Sequence, residues 1–146
     1  MLNKIQQLRE MTGLGVIECK KALQDAEGDM EKAISIIHER GIAKAEKRKD
    51  RVTGAGLIES YIHNERVGVL LDIRAETDFV AKSKDFRELA HDIVMQIAAM
   101  NPLNIDELMK QEYIKDNSLK VEDLMNHAKA KLGENIRVEK FVRYEI

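Results

Sequence analysis

Cysteine occurs once, at Cys19, so no disulfide can close within the chain, and a lone thiol suits a reducing compartment. Tryptophan is absent and aromatics are few, which leaves little surface for stacking sugars or bases. There is one proline, Pro102, and no low-complexity tract or internal repeat. No apolar run approaches the roughly 20 residues of a membrane-spanning helix, and the opening MLNKIQQLRE is polar and amphipathic rather than a signal peptide. An excess of one charge is also missing. Lys and Arg number 24 against 26 Asp and Glu, so no global field draws the chain to nucleic acid or membrane. A soluble, cytoplasmic protein is expected. Its 146 residues allow one compact core with a small appendage.

Catalytic constellations are missing as well. His38, His63, His91 and His127 fall in four separate elements without metal-ligand spacing. Cys19 sits on an apolar helical stripe, the setting of a buried inert thiol. The GAG at residues 54–56 has no following Lys-Ser or Lys-Thr and is a loop into a strand, not a phosphate-binding loop. Glu59 and Asp72 could meet across a hairpin, where paired carboxylates are ordinarily just solvated. The chain therefore reads as a binding protein rather than an enzyme, with no cofactor and no metal expected.

What is present begins with helices. Leu2, Ile5 and Leu8 mark one face of a first helix that stops at Thr12-Gly13. Val16, Cys19, Ala22, Leu23 and Ala26 stripe a second, closed by Gly28. Asp29 caps a third with Met30, Ala33, Ile34 and Ile37 inward, which Gly41 should end. Residues 43–51, AKAEKRKDR, carry no apolar stripe and read as a solvated basic connector; nucleic-acid binding is the alternative, weakened by the interrupting Glu46 and Asp50.

From Gly54 the period changes to two. Leu57, Glu59, Tyr61 and His63 alternate with Ile58, Ser60 and Ile62, and Asn64-Glu65 turns the chain. Val67, Val69, Leu71, Ile73 and Ala75 follow as one face of a half-buried strand. Phe86, Leu89, Ala90, Ile93, Val94, Ile97 and Ala98 give the cleanest helical stripe, ended by Asn101-Pro102. Asn104 and Glu107 suggest a capping box for a short helix near residues 105–110. Val121, Leu124, Met125, Ala128 and Leu132 form another helix, stopped by Gly133. A last strand should hold Ile136, Val138, Val142, Tyr144 and Ile146 on one face. The expected fold is α+β: a three-helix bundle over residues 1–42, a basic linker over 43–53, and over 54–146 a three-stranded, mostly antiparallel sheet packed with helices.

The chain is organised around LLDIRAETDFVAK, residues 70–82. A plain strand breaks off into Glu76-Thr77-Asp78, and Phe79 stands at the junction with the next helix, which opens near Ser83 or Asp85. Pattern alone favours packing Phe79 inward, because most aromatics are core. An outward Phe79 would instead be an anchor for a partner.

ETDFVAKS at residues 76–83, LREMTGLGVIECKKAL at 8–23 and KLGENIRV at 131–138 closely resemble the elongation factor Ts family, in the family's order and across nearly the whole chain. The resemblance implies a guanine-nucleotide exchange factor for elongation factor Tu and an N-terminal bundle of the ubiquitin-associated type. It implies that Thr77, Asp78, Phe79 and Val80 form the working tip, with Phe79 wedged between helices of the partner and its magnesium and nucleotide site disturbed. It also implies a second contact through Thr12, Gly13, Val16, Ile17 and Lys20, where Val16-Ile17 replace the two Met common in the family. Longer members carry two related core halves, and this chain has material for one. Pairing of two copies through the sheet would supply the second, so a homodimer is expected. The rival reading is a ribosome- or RNA-associated adaptor without exchange activity.

Overall fold

The computed structural model describes all 146 residues. Its first unit is a bundle of α1 (Leu2–Thr12), α2 (Val16–Asp25) and α3 (Met30–Arg48). Gly13 ends α1 in the left-handed conformation, φ 71°, and its N–H donates to the Arg9 carbonyl. Past α2, Glu27 and Gly28 are both left-handed, and their N–H groups donate to the carbonyls of Gln24 at 3.1 Å and Leu23 at 2.8 Å. That is a Schellman closure with Glu27 in the left-handed position and Gly28 after it. Asp29 then caps α3, its Oδ1 accepting from Lys32 N at 3.1 Å. Ile5, Leu8, Cys19, Ala22, Leu23, Ala26 and Ala33 fill a small core. Val16, expected on that stripe, is exposed instead.

Gly41 does not end α3, which continues to Arg48 and takes up most of the expected linker. Gly41, Ala45 and Arg48 are spaced i, i+4, i+7 on one face. Gly41 and Ala45 are buried, Gly41 faces Ala130, and Arg48 Nη1 donates to the Lys129 carbonyl at 3.3 Å. This contact with the helix α7 (Val121–Leu132), together with helix-forming Ala, Lys and Glu, outweighs the roughly 1 kcal/mol that an interior glycine costs.

The second unit is built on β1 (Ala55–His63), β2 (Val67–Ala75) and β5 (Ile136–Glu145), antiparallel in the order β1-β2-β5. Asn64 and Glu65, φ 51° and 58°, make the β1–β2 turn of the type whose twist matches a hairpin. Val69, Leu71, Ile73 and Ala75 face the helices α5 (Lys84–Met100) and α7 and share an 18-residue core with Phe86, Ile93, Val94 and Ile97. The architecture is α+β, a three-stranded antiparallel sheet packed with helices.

Two sequence expectations fail at the sheet. Ile73 pairs with Val138 but Asp72 pairs with Lys140, so Glu139 is an extra residue in β5. Beyond this bulge the faces exchange: Phe141 and Arg143 turn toward the helices, while Val142, Tyr144 and Ile146 stay exposed and leave the face of Ile136 and Val138. Asp72 pairs with Ile58 and Glu59 with Leu71, so Glu59 and Asp72 point to opposite faces and never meet. The sequence also gives no sign of the small hairpin β3 (Glu112–Tyr113) and β4 (Asp116–Lys120) after α6 (Ile105–Lys110). Buried Gln96 organises it, donating to the Glu112 carbonyl at 3.0 Å and accepting from Ile114 N at 2.9 Å. The sheet face away from the helices has no cover and exposes Ile58, Ile62, Leu70, Val142 and Tyr144.

Candidate partner-binding site

The break after β2 is a single turn of helix, α4 (Asp78–Ala81). Thr77 caps it, Oγ1 accepting from Val80 N at 3.3 Å, and Ala81 N and Lys82 N close on the carbonyls of Thr77 and Asp78 at 3.1 and 3.0 Å. Ser83 starts the next helix, its Oγ donating to the Val80 carbonyl at 2.7 Å and accepting from Phe86 N at 3.3 Å. A turn capped at both ends has little freedom. Val80 and Ala81, 6% and 4% exposed, are pulled into the core, which leaves Phe79 87% exposed with Asp78 and Thr77 beside it. The inward packing favoured by pattern alone is overturned. An exposed Phe forgoes roughly 1.5–3 kcal/mol of burial, an expense that a binding anchor recovers on its partner. Of the four expected tip residues, Val80 anchors the turn from inside instead of offering a surface.

The other expected contact lies on the bundle. Thr12 Oγ1 donates to the Leu8 carbonyl at 2.6 Å and accepts from Leu14 N at 3.3 Å, which ties down the turn before α2. Val16, Ile17 and Lys20 are exposed together, 48% and 70% for the two apolar residues, while Cys19 between them is buried. The two groups are brought near one another by Lys131. Its side chain lies over Gly13, where an added Cβ would fall 2.7 Å from Lys131 Cε, and its Nζ pairs with Asp85 Oδ1 at 3.3 Å, just past the tip.

The basic run over residues 43–51 is largely paired with groups of the same chain. Lys44 pairs with Glu18 at 2.6 Å, Lys49 with Glu46 at 2.5 Å, and Arg48 bonds a carbonyl of α7. The rings of His38 and His127 meet edge to face at 5.9 Å, and burial, then His38, holds the His127 imidazole below its usual value. No three His, Cys, Asp or Glu converge as metal ligands. A concavity of about 590 Å³ beside α5 is open and lined by charged and polar side chains such as Lys84, Arg87 and Lys115, with no apolar wall for a small molecule. No helix is long and apolar enough to cross a membrane. Sequence reasoning missed Glu134, which fastens the start of the tip; KLGENIRV was legible as a motif, but its partner 57 residues away was not.

The profile of the family described as "Elongation factor TS" matches residues 76–146. Elongation factor Ts of Thermotoga maritima is 42% identical, with 99% of this chain and 95% of that protein covered. Those of Thermoanaerobacter pseudethanolicus and Thermodesulfovibrio yellowstonii are 39% and 37% identical, each over 97% of this chain and 92% and 94% of their own length. The Thermotoga alignment runs over 189 positions, 43 more than the chain's 146 residues, so at least that many residues of the relative have no counterpart here. On this relatedness along almost its whole length, the chain belongs to the elongation factor Ts family.

Proposed function

We propose that this chain is the guanine-nucleotide exchange factor of elongation factor Tu, acting in translation elongation. The observation that carries the reading is Phe79, held almost fully exposed on a capped turn in a member of this family. Phe79 inserts between helices of the partner and Asp78 meets polar groups beside it. Magnesium bound with GDP needs near-ideal octahedral oxygen coordination, so a small displacement of its neighbours weakens the nucleotide. No covalent step is required of the chain itself. It binds GDP-bound and nucleotide-free partner, stabilises the latter, and linkage requires nucleotide to weaken its own binding by the same factor.

The bundle, read as the ubiquitin-associated type, adds affinity through Val16, Ile17 and Lys20 on the partner's nucleotide-binding domain, with the Thr12-Gly13 turn holding them. The uncovered sheet face is where a second copy pairs. Ile58, Ile62, Leu70, Val142 and Tyr144 supply its apolar surface, and a homodimer would carry two tips. A cytosolic setting agrees with the free thiol of Cys19.

Release of labelled GDP from elongation factor Tu, with and without this protein, tests the reading. Acceleration by substoichiometric amounts is expected, and no acceleration overturns it. Retention on ribosomal RNA with a steep salt dependence, and no exchange, would favour the RNA-associated adaptor instead.

A further inference from the structure

The third motif, KLGENIRV, offers no exposed apolar anchor, yet its first five residues touch each part of the proposed site. Glu134 follows Gly133, whose φ of 71° ends α7, and its carboxylate meets the start of the tip. Oε1 accepts from Glu76 N at 3.0 Å and Thr77 N at 3.1 Å, and Oε2 accepts from the Thr77 hydroxyl at 2.7 Å. That last bond aims the hydroxyl proton away from Val80 N, so the oxygen presents a lone pair to the helix it caps. Glu76 answers with Oε2 accepting from Asn135 N at 2.7 Å, and Arg51 approaches its other oxygen at 3.6 Å. Asn135, 3% exposed, donates Nδ2 to the carbonyls of Lys49 at 3.2 Å and Arg51 at 3.0 Å, where the chain leaves the bundle. Lys131, one turn earlier, covers Gly13.

We propose that Glu134 is the positioning residue of the Phe79 tip, and that Glu134 and Asn135 together hold the tip and the bundle's exit in one geometry, so that both partner contacts are presented at once. This rests on the exchange reading. A side chain that holds one short segment by three bonds on its two terminal atoms fixes that segment through the number and placement of those bonds. A tip released from it visits other conformations, and binding weakens by the fraction of time it spends in the competent one. Glu134 itself makes no contact with the partner.

The test is a concentration series of GDP release from elongation factor Tu with wild type, Glu134→Ala, Glu134→Gln, Phe79→Ala and the Glu134→Ala/Phe79→Ala double variant. Glu134→Ala should raise the half-saturating concentration roughly tenfold with the maximal rate unchanged. Glu134→Gln should stay near wild type, because its amide oxygen still accepts from both N–H groups and the Thr77 hydroxyl turns to accept from the amide. In the Phe79→Ala background Glu134→Ala should add no more than about twofold, since its effect runs through Phe79. A folded Glu134→Ala with a wild-type curve overturns the proposal. So does a Glu134→Gln as weak as the alanine variant, which would make the charge itself a contact, or a loss undiminished in the double variant, which would mean general damage. If Glu134→Ala does not fold, Glu134→Asp, one methylene short of the tip, takes its place. Wild type that releases no GDP sinks the exchange reading instead. Positioning is then read from Phe79→Trp, the only tryptophan in the chain: Glu134→Ala must speed its anisotropy decay, and an unchanged decay overturns positioning.

Discussion

Phe79 and Val80 are adjacent in one turn of helix and point opposite ways, 87% and 6% exposed. Burial of Val80, with Ala81 beside it, fixes the turn against the core and thereby holds Phe79 in water. Anchor and wedge are separate residues, so function and stability at the tip should separate too.

Phe79→Ala should therefore cost about 2–4 kcal/mol of partner binding, while stability shifts by less than about 0.5 kcal/mol, as at other exposed positions. Val80→Ala should do the reverse first, lowering the melting temperature by opening a hole in the core. Exchange kinetics and thermal unfolding of both variants check this. A Phe79→Ala protein that melts much earlier than wild type would put Phe79 in the core after all.

The two cores share no residue, and the 18-residue cluster draws on nothing before Val69. A chain starting at Arg48 keeps the Lys49 and Arg51 carbonyls for Asn135 and should fold. It should retain exchange at higher concentration, because the tip is intact and the bundle contact is gone. Cutting instead after Gly41 would leave a stub of α3. Circular dichroism and exchange assays decide; an unfolded 48–146 chain would show that α3 against α7 is indispensable.

Leu70 sits mid-strand on the open sheet face, opposite Ser60 on one side and Val142 on the other. Leu70→Glu should convert a dimer to a folded monomer, since a desolvated unpaired carboxylate would stand at the centre of the contact. Light scattering at micromolar concentration measures it. A wild type already at the mass of one chain would rule out pairing through this face.

Tyr113 is buried, and burial followed by the negative charge of Asp92 pushes its phenol up to about 12. Unfolded, it ionises near 10. Its contribution to stability is therefore complete below pH 10 and is lost as pH rises through about 12. Absorbance titration of wild type minus Tyr113→Phe should show one phenolate step near pH 12. A step at the ordinary value would show the ring accessible to solvent.

Much of the local structure was legible because it is chemistry between near neighbours. Asp29, Ser83 and Asn104 cap helices with their own side chains, and Gly13 and Gly133 end them in left-handed backbone. The stripe from Phe86 to Ala98 and the alternation of β2 are likewise periodic signals that burial reproduces. In the candidate site the motifs themselves could be read, together with the exposure of Ile17 and Lys20, which fall off the apolar stripe of α2.

What sequence could not contain was decided by distant partners. Gly41 stays helical because α7 lies against it, and the extra residue at Glu139 appears only once β5 is registered on β2. The face a strand shows is then exchanged by one residue, which no alternation within the strand reports. Phe79 points outward because Val80 and Ala81 have a core to enter and Glu134 holds the turn from 57 positions away. Capping, periodicity and turn chemistry act over a few residues and are written in order along the chain. The aim of the tip depends on which residues meet across the fold, and that was settled only when the sheet and its helices packed.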